Sequence, residues 1–388
     1  QDCTGANNVA IGRSALLQLT SGGGNVAVGQ TALDACVSGS DNTAIGKGAL
    51  GACTTSNNTA VGSSAAISCT SGGNVVAVGL KALEDHTTGN HVTAVGSEAL
   101  ANNTTAAENT AVGTGALGAN TTGAQNTAMG AFSIDANTTG GNNSGFGREA
   151  LTKNTTGSNN TGLGFESLKE NTTADNNTAV GYQALKLNTT GTQNVAIGGN
   201  AGDAYTNGDE NIIIGYTAEI SGAGGHNQIV MGRGAVGNAN TSFCFGEGTN
   251  DSAIAFGATS ITAPSDIRLK EDIQDEEVGL DFINDLRPVT FLWKKEKDIP
   301  SDMRAHEEGS EKRTMNGKYN HGFIAQEVKE TIDNHNLKEG FDMWSEDEAD
   351  GRQRVAPNAL MSVMVKAVQE LSTQVDELKQ EIQTLKGE

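Results

Sequence analysis

The chain has 388 residues with a formal net charge of −21, 51 glycines, 4 prolines and 4% aromatic residues. A globular enzyme of this length buries many more large side chains, so the composition favours a repeat architecture. The acidic excess argues against nucleic acid and anionic membranes as partners. No apolar run has the length of a membrane span, and no signal peptide is recognisable. Because the sequence begins at Gln1 without Met, we expect further N-terminal residues in the natural protein.

A motif of the form Asn-Thr/Val-Ala-Val/Ile-Gly recurs along residues 5–235, and its closing glycines are 17 residues apart except for one interval of 16. The motif alternates with the period of a β-strand, with Thr or Val and then Val or Ile on one side and Ala and Asn on the other. A second strand is expected at the following Ala-Leu pair, such as Ala116 and Leu117, and then a turn at Asn-Thr-Thr-Gly. The closing glycines are Gly12, Gly29, Gly46, Gly62, Gly79, Gly96, Gly113, Gly130, Gly147, Gly164, Gly181, Gly198, Gly215 and Gly232.

Two strands in a 17-residue unit predict a flattened parallel β-roll with coils about 4.8 Å apart and a core of Ala, Val, Ile and Leu. Equivalent asparagines should stack as a ladder of side-chain amides. Cys36, Cys53 and Cys69 take the same position in earlier coils, so we expect them to replace ladder residues and not to form disulfides. Because so thin a core is small, a second face is expected to be buried against other chains, as in a trimer. The ladder residues are Asn103, Asn120, Asn137, Asn154, Asn171 and Asn188.

These repeats resemble the head repeats of trimeric autotransporter adhesins, whose motif is Asn-x-Ala-Ile-Gly. The resemblance implies a trimeric, left-handed β-roll, here a stalk over residues 1–210. Degenerate repeats at 211–263 carry larger apolar residues and are expected to form a cap or collar. No pair of carboxylates placed for glycoside hydrolysis is recognisable. Scattered acids are interpreted as solubilising surface groups, and they include Glu98, Glu149 and Glu166.

Beyond Ser265 the composition becomes charged, and both tryptophans of the chain lie there. The stretch "DFINDLRPVTFLW" predicts a short helix and, after Pro288, a strand, while "NHGFIAQEV" predicts a strand leading into a helix. Residues 264–356 are therefore expected to form a small α+β domain, and residues 357–388 a helix. A sustained heptad seam predicts a coiled coil, the alternative being an amphipathic helix packed on its own domain. The seam residues are Met361, Met364, Val368, Leu371, Val375, Leu378, Ile382 and Leu385.

Together, "SDIRLKEDI", "LRPVTFLW", "GFIAQEV" and the terminal heptads resemble the endosialidase-type C-terminal intramolecular chaperone domain of bacteriophage tail spikes and fibres. The resemblance covers residues 264–388 and implies a domain that trimerises, helps a β-rich stalk fold and then cleaves itself off. It implies Ser265 as nucleophile and Lys270 as general base, with the Pro264–Ser265 bond cleaved. A lysine acts as base when burial or nearby positive charge lowers its pKa. Other motif positions implied are Asp266, Arg268, Leu269, Gly322, Phe323, Ala325, Gln326 and Glu327.

The sequence thus predicts a homotrimeric phage tail fibre or spike that binds a host receptor, either a glycan or a surface protein. It would join other virion tail proteins through a further N-terminal region, and it would be assembled in the host cytoplasm. Its one enzymatic activity would be a single-turnover serine autoendopeptidase, and no cofactor, metal, nucleic acid or membrane insertion is expected. The alternatives are a trimeric bacterial surface adhesin and a polysaccharide-degrading tail spike. Pro264 restricts the backbone on the N-terminal side of the expected scissile bond.

Overall fold

A computed structural model describes residues 5–248, 250–258, 261, 267–301, 303, 305–315, 317–337, 341–346 and 351–387. The chain divides into two compact units, residues 1–265 and residues 266–388. The finer boundaries expected from the sequence, at 210 and 356, stay predictions.

The first unit is a parallel β-solenoid with one strand in each coil. Successive strands pair in parallel from β1 to β15, and equivalent motif residues face one another, as Ala94 faces Ala111. The strands are β1 (Val9–Ile11), β2 (Val26–Val28), β3 (Thr43–Ile45), β4 (Thr59–Val61), β5 (Val76–Val78), β6 (Thr93–Val95), β7 (Thr110–Val112), β8 (Thr127–Met129), β9 (Ser144–Phe146), β10 (Thr161–Leu163), β11 (Thr178–Val180), β12 (Val195–Ile197), β13 (Ile212–Ile214), β14 (Gln228–Met231), β15 (Ser242–Glu247) and β16 (Asn250–Ala255). The mainly β, parallel 17-residue repeat expected from the sequence is confirmed, whereas its left-handed sense and trimeric state stay predictions.

The second strand expected in each coil is wrong. The Ala-Leu pair lies in a chain of turns, and its leucine has a left-handed backbone, as at Leu117 with φ 52°. Leu117 N–H still donates to the carbonyl of Ser133 one coil further, at 3.0 Å, so the turns stack by hydrogen bonds as strands do. A left-handed conformation costs an L-residue about 1–2 kcal/mol, and burial of the leucine side chain offsets that cost.

The core of the solenoid is filled mainly by the alanine in the middle of a strand and the leucine of the following turn, such as Ala111 and Leu117, both fully buried. The expectation that Val and Ile share this core is confirmed at Ile213 and Val230, which are fully buried at the alanine position of their strands, whereas the third residue of a strand points outward, as Ile197 does. At Gly162, where other coils have Ala, an added Cβ would lie 2.9 Å from Ser167 Oγ.

The predicted amide ladder is confirmed, and all six of its asparagines are fully buried. Asn137 Nδ2 donates to Asn120 Oδ1 at 2.7 Å and to the carbonyl of Gly140 at 2.9 Å. Cys36, Cys53 and Cys69 continue the column as free buried thiols, as expected. The ladder therefore satisfies buried turn carbonyls that have no strand partner.

A second ladder was not predicted, and it consists of the asparagine that precedes most strands, with Val75 and Val92 in its place before β5 and β6. Asn126 N–H donates to Asn109 Oδ1 at 2.8 Å, and Asn126 Nδ2 donates to the carbonyl of Gly140 at 2.9 Å. One side chain thus makes two links, since Asn109 Oδ1 accepts the N–H of Asn126 in the next coil and Asn109 Nδ2 donates to the carbonyl of Gly123 in its own turn.

The parallel stacking of this unit ends at its last two strands, and the cap or collar expected over residues 211–263 stays a prediction. β16 pairs with β15 in antiparallel fashion, which ends the parallel stacking, and Phe243 packs against Phe245 with ring centroids 5.1 Å apart. A reversed final strand covers the hydrogen-bonding edge that another coil would otherwise need to cover.

The second unit is the expected small α+β region with a terminal helix. Its helices are α1 (Leu280–Asp285), α2 (Ala325–Asn334) and α3 (Leu360–Lys386), and its strands are β17 (Val289–Phe291), β18 (Asn320–Gly322), β19 (Trp344–Glu346) and β20 (Gln353–Val355). β17 pairs with β18 and β19 with β20, both antiparallel. Its core is formed by Phe282, Leu286, Val328, Ile332, Met343, Leu360 and Val363.

α3 presents two different faces. Near its start, Leu360, Val363 and Ala367 are buried, so the first turns pack on the domain. All eight predicted seam residues are exposed, from 42% at Val375 to 86% at Leu385. The seam therefore takes no part in the core of its own chain. Among the described residues, no helix combines the length and the hydropathy needed to cross a membrane.

Candidate functional site

The candidate site begins at the junction of the two units. Pro264, Ser265 and Asp266 lie outside the described residues, so the structure does not test the proposed Ser–Lys pair. The next residues form a short 3₁₀ turn, Ile267–Leu269, and the N–H of Lys270 donates to the carbonyl of Ile267 at 3.2 Å. Arg268 and Lys270 are both exposed in the single chain.

Exposure of Lys270 limits what the single chain can do chemically. A lysine becomes a general base at neutral pH only when burial or neighbouring positive charge lowers its pKa. Ile267 and Ile273, on either side of it, are 71% and 64% exposed, so this apolar surface is available for packing by another chain.

The "GFIAQEV" motif runs from the end of β18 into α2. Gly322 pairs with Val289 of β17, Phe323 packs on the domain core, and Ala325 begins α2. Gln326 points to solvent. An added Cβ at Gly322 would lie 3.5 Å from Phe291, an ordinary contact, so the single chain does not explain the glycine.

Glu327 joins two of the sequence motifs. Arg287 Nε donates to Glu327 Oε2 at 2.9 Å, and Arg287 Nη2 donates to Oε1, so the pair is bidentate. The guanidinium lowers the pKa of the Glu327 carboxyl. Bidentate pairs fix geometry as well as charge, and this one holds the "LRPV" segment against the start of α2.

A second connection was not predicted and ties α1 to α3. Glu370 Oε2 accepts the N–H of Leu280 at 2.8 Å, which places a carboxylate at the N-terminal end of α1. An added Cβ at Gly279 would lie 2.3 Å from the same oxygen. The helix that carries the heptad seam is thus fixed to the domain core by a charged hydrogen bond as well as by apolar contacts.

Glu98, Glu149 and Glu166 were interpreted from the sequence as scattered acids of the solenoid surface, and the structure corrects this for Glu166. That carboxylate is buried between Lys169 and Lys186, which donate to it at 2.7 and 2.8 Å and lower its pKa to about 2. Glu149 also accepts from Lys169, at 2.8 Å. Lys169 and Glu166 lie three residues apart in one coil, whereas Lys186 and Glu149 reach the cluster from neighbouring coils, so only the folded repeat assembles it.

Glu219 and Asp203 form a carboxyl pair that sequence reasoning missed. Burial and the hydrogen bond with Asp203 raise the pKa of Glu219 to about 8. Glycoside hydrolysis needs carboxyl groups at least about 5 Å apart, and a hydrogen-bonded pair leaves no room for the sugar between them. Within the described ranges, no cluster of three His, Cys, Asp or Glu side chains is placed to hold a metal ion.

Comparison with known proteins bears on the second unit. Residues 265–337 match the family described as the chaperone of endosialidase, which is 73 of the 388 residues of the chain. The match begins at Ser265, where the chain divides into its two units. No curated protein shows significant similarity to the chain. The resemblance inferred from the sequence is thus supported over residues 265–337.

Proposed function

We propose that this protein is a homotrimeric bacteriophage tail fibre or tail spike whose C-terminal unit is a self-cleaving intramolecular chaperone. The observation that carries the proposal is the chaperone match that begins at Ser265, directly after the solenoid unit. A stalk built of near-identical coils is the kind of structure that needs help to align three chains. In this proposal the stalk binds a host surface receptor, and the protein is assembled in the host cytoplasm into the virion, where other tail proteins hold it.

Two exposed apolar surfaces support the trimer. On the solenoid, the third residue of each strand forms an outward stripe that includes Ile45, Met129, Leu163 and Ile197. On α3, all eight residues of the heptad seam are exposed. Surfaces of this length are rare on monomers and typical of interfaces between chains, and three copies would bury both.

Cleavage would proceed through an ester. Lys270 takes the Ser265 hydroxyl proton, the Oγ adds to the Pro264 carbonyl carbon, and the carbon–nitrogen bond breaks as the nitrogen accepts that proton. Water then hydrolyses the ester and leaves residues 1–264 and 265–388 as separate chains. Because Lys270 is exposed in the single chain, activation of the base would require burial between subunits, which couples cleavage to assembly.

The test is expression of the full chain and of Ser265→Ala, Lys270→Ala and Ser301→Ala variants, followed by denaturing gels and intact mass. The wild type and the Ser301→Ala control should give fragments 1–264 and 265–388. Ser265→Ala and Lys270→Ala should each give one intact chain that still assembles. If the wild type stays intact as a fully assembled trimer, the cleavage is refuted, and if Lys270→Ala cuts normally, the assigned base is refuted.

A further inference from the structure

In a solenoid whose coils share one structure, departures from the repeat at exposed positions are not required by the fold. The residue after the closing glycine is such a position, and in the coils before residue 148 it is polar, small or aliphatic and never aromatic, as at Lys47, Ser63 and Leu80. Five successive coils instead carry a row of different character, which we call the aromatic strip. It consists of Arg148, Phe165, Tyr182, Gly199 and Tyr216.

Two of the three rings of the strip, Phe165 and Tyr182, are held in place by contact with each other. Phe165 and Tyr182 stack with centroids 5.5 Å apart and planes 11° from parallel. The guanidinium of Arg148 lies 5.6 Å from the centroid of Phe165. Both faces of Phe165 are thus covered, whereas Tyr182 and Tyr216 remain 53% and 59% exposed.

Gly199 leaves an open place between the two tyrosines. Phe165 covers one face of Tyr182, and the next coil in the other direction carries no side chain at this position. An added Cβ at Gly199 would meet only the Tyr216 ring, at 3.4 Å, and the backbone there is not left-handed. The fold therefore accepts a side chain at residue 199, and its absence exposes aromatic surface.

A row of hydrogen-bonding side chains runs beside the strip, one residue further along each coil. Gln183 donates to Glu166 at 2.6 Å, and Asn200 donates to Gln183 Oε1 at 3.3 Å and to Asp203. Arg148, Lys169 and Lys186 are each paired with a carboxylate. The region therefore offers fixed polar groups without an excess of positive charge.

We propose that the aromatic strip binds a neutral carbohydrate chain, with a sugar ring stacked on Tyr182 at Gly199. This rests on the proposed receptor-binding function and names its ligand class and surface. Rigid aromatic faces with a polar margin suit ligands that are apolar on one face and hydroxylated at their edges. A second protomer is a poorer occupant, because the outward apolar stripe occurs along the whole solenoid whereas the strip spans five coils. Balanced charge argues against a polyanion.

The proposal is tested by electrophoresis of the full chain through native gels cast with soluble neutral polysaccharides (a glucan, a mannan and a galactan) or with alginate, a polyanion. At least one neutral gel should retard the wild type, and Tyr182→Ala should weaken that retention about tenfold. Gly199→Leu, which fills the open place, should do the same. Thr114→Ala, at the same position of a coil outside the strip, should bind as the wild type does.

Absence of retardation in every neutral gel, or retardation by alginate alone, overturns the assignment, as does unchanged retention of Tyr182→Ala and Gly199→Leu. Trimer mass and cleavage products are measured on the same preparations. If the protein is neither trimeric nor cleaved but is still retained by a neutral polysaccharide, the proposed chaperone function is refuted and the carbohydrate site is supported. If the protein is trimeric and cleaved but is not retained, the carbohydrate site is refuted and the chaperone function is supported.

Discussion

At the scale of the residue, buried asparagine side chains make hydrogen bonds that connect successive coils of the solenoid. A fully buried Asn137 uses both amide hydrogens and its oxygen, because it also accepts from Asn154 at 3.0 Å. Where the column of asparagines ends, Tyr205 takes the next place, and Asn188 Oδ1 and the Tyr205 hydroxyl have no hydrogen-bond partner among the described residues. Stacked amides are thus favourable only as a continuous series, since a buried polar atom without a partner costs about 1–3 kcal/mol.

The sequence predicted contacts between residues that occupy the same position in successive repeats. It did not predict contacts between residues at different positions of the repeat. The column from Asn103 to Asn188 was predictable because a 17-residue period places equivalent residues of successive coils next to one another. The pairing of Glu219 with Asp203 was not, because 16 residues and a turn separate them and nothing in either local sequence signals the contact. The inward face of the strand was also ambiguous, since alternation defines two faces without saying which one is buried.

Glu219 gives the solenoid a predictable pH dependence. Its pKa is raised to about 8 in the folded protein, against an ordinary value near 4.3. Between these values the folded carboxyl is protonated and the unfolded one ionised, so stability present at acidic pH is lost as pH rises towards 8. Glu219→Gln should therefore stabilise the protein by about 1–3 kcal/mol at pH 8 and leave it nearly unchanged at pH 4.

Thermal unfolding midpoints at pH 4, 6 and 8 check this expectation. Glu210→Gln is the matched control, since Glu210 is an exposed acid nearby whose substitution should shift the midpoint little at any of the three. An equal gain for Glu219→Gln at pH 4 and pH 8 would contradict the raised pKa.

At the scale of the element, α3 combines two functions in one helix. Its first turns pack through Leu360 and Val363, and Glu370 binds the N-terminal end of α1. The seam beyond them is turned to solvent. The sequence predicted the seam because eight apolar residues between 361 and 385 follow an alternating spacing of three and four, which is typical of coiled coils. The sequence did not show that a second face of the helix packs on the domain, because nothing in the heptad pattern marks Val363 and Ala367 as buried.

Seam substitutions should separate assembly from domain folding. Leu371→Asp combined with Leu378→Asp places charge at two exposed seam positions, 49% and 56% accessible, that do not touch the core. We expect loss of the trimer and, if Lys270 needs assembly to act as a base, loss of cleavage, with the helical content retained. Sedimentation, circular dichroism and denaturing gels measure the three properties.

The control for this pair is Glu377→Gln, a conservative change on the same helix outside the seam, which should assemble and cleave normally. A doubly substituted chain that remains trimeric would show that α3 is not the trimerising element. One that is monomeric yet cleaved would show that Lys270 is activated within a single chain.

At the scale of the whole molecule, regularity both stabilises the solenoid and makes its assembly ambiguous. Asn137 and Asn154 have nearly identical surroundings, so a chain shifted by one coil keeps most ladder bonds and most of the alanine and leucine core. Register is fixed by local departures from the repeat, which include the 16-residue interval before Gly62, the cysteines in the ladder column, the Glu166 cluster and the antiparallel final strand. Three such chains have many near-native arrangements of similar energy, and non-local parallel pairing is slow to correct them.

A C-terminal unit that trimerises first would resolve this ambiguity, and its removal should make the folded stalk kinetically trapped. After denaturation in guanidinium and dilution, the cleaved wild type should recover little or no trimer, because fragment 1–264 has lost the element that aligns it. Uncleaved Ser265→Ala should recover trimer under the same conditions, as should Ser265→Ala combined with the neutral control Ser301→Ala. The measurement is trimer yield by size exclusion with light scattering, at matched concentrations. Equal recovery of both forms would mean that the solenoid finds its register unaided, and the chaperone role of residues 265–388 would then be refuted even if the chain cuts itself.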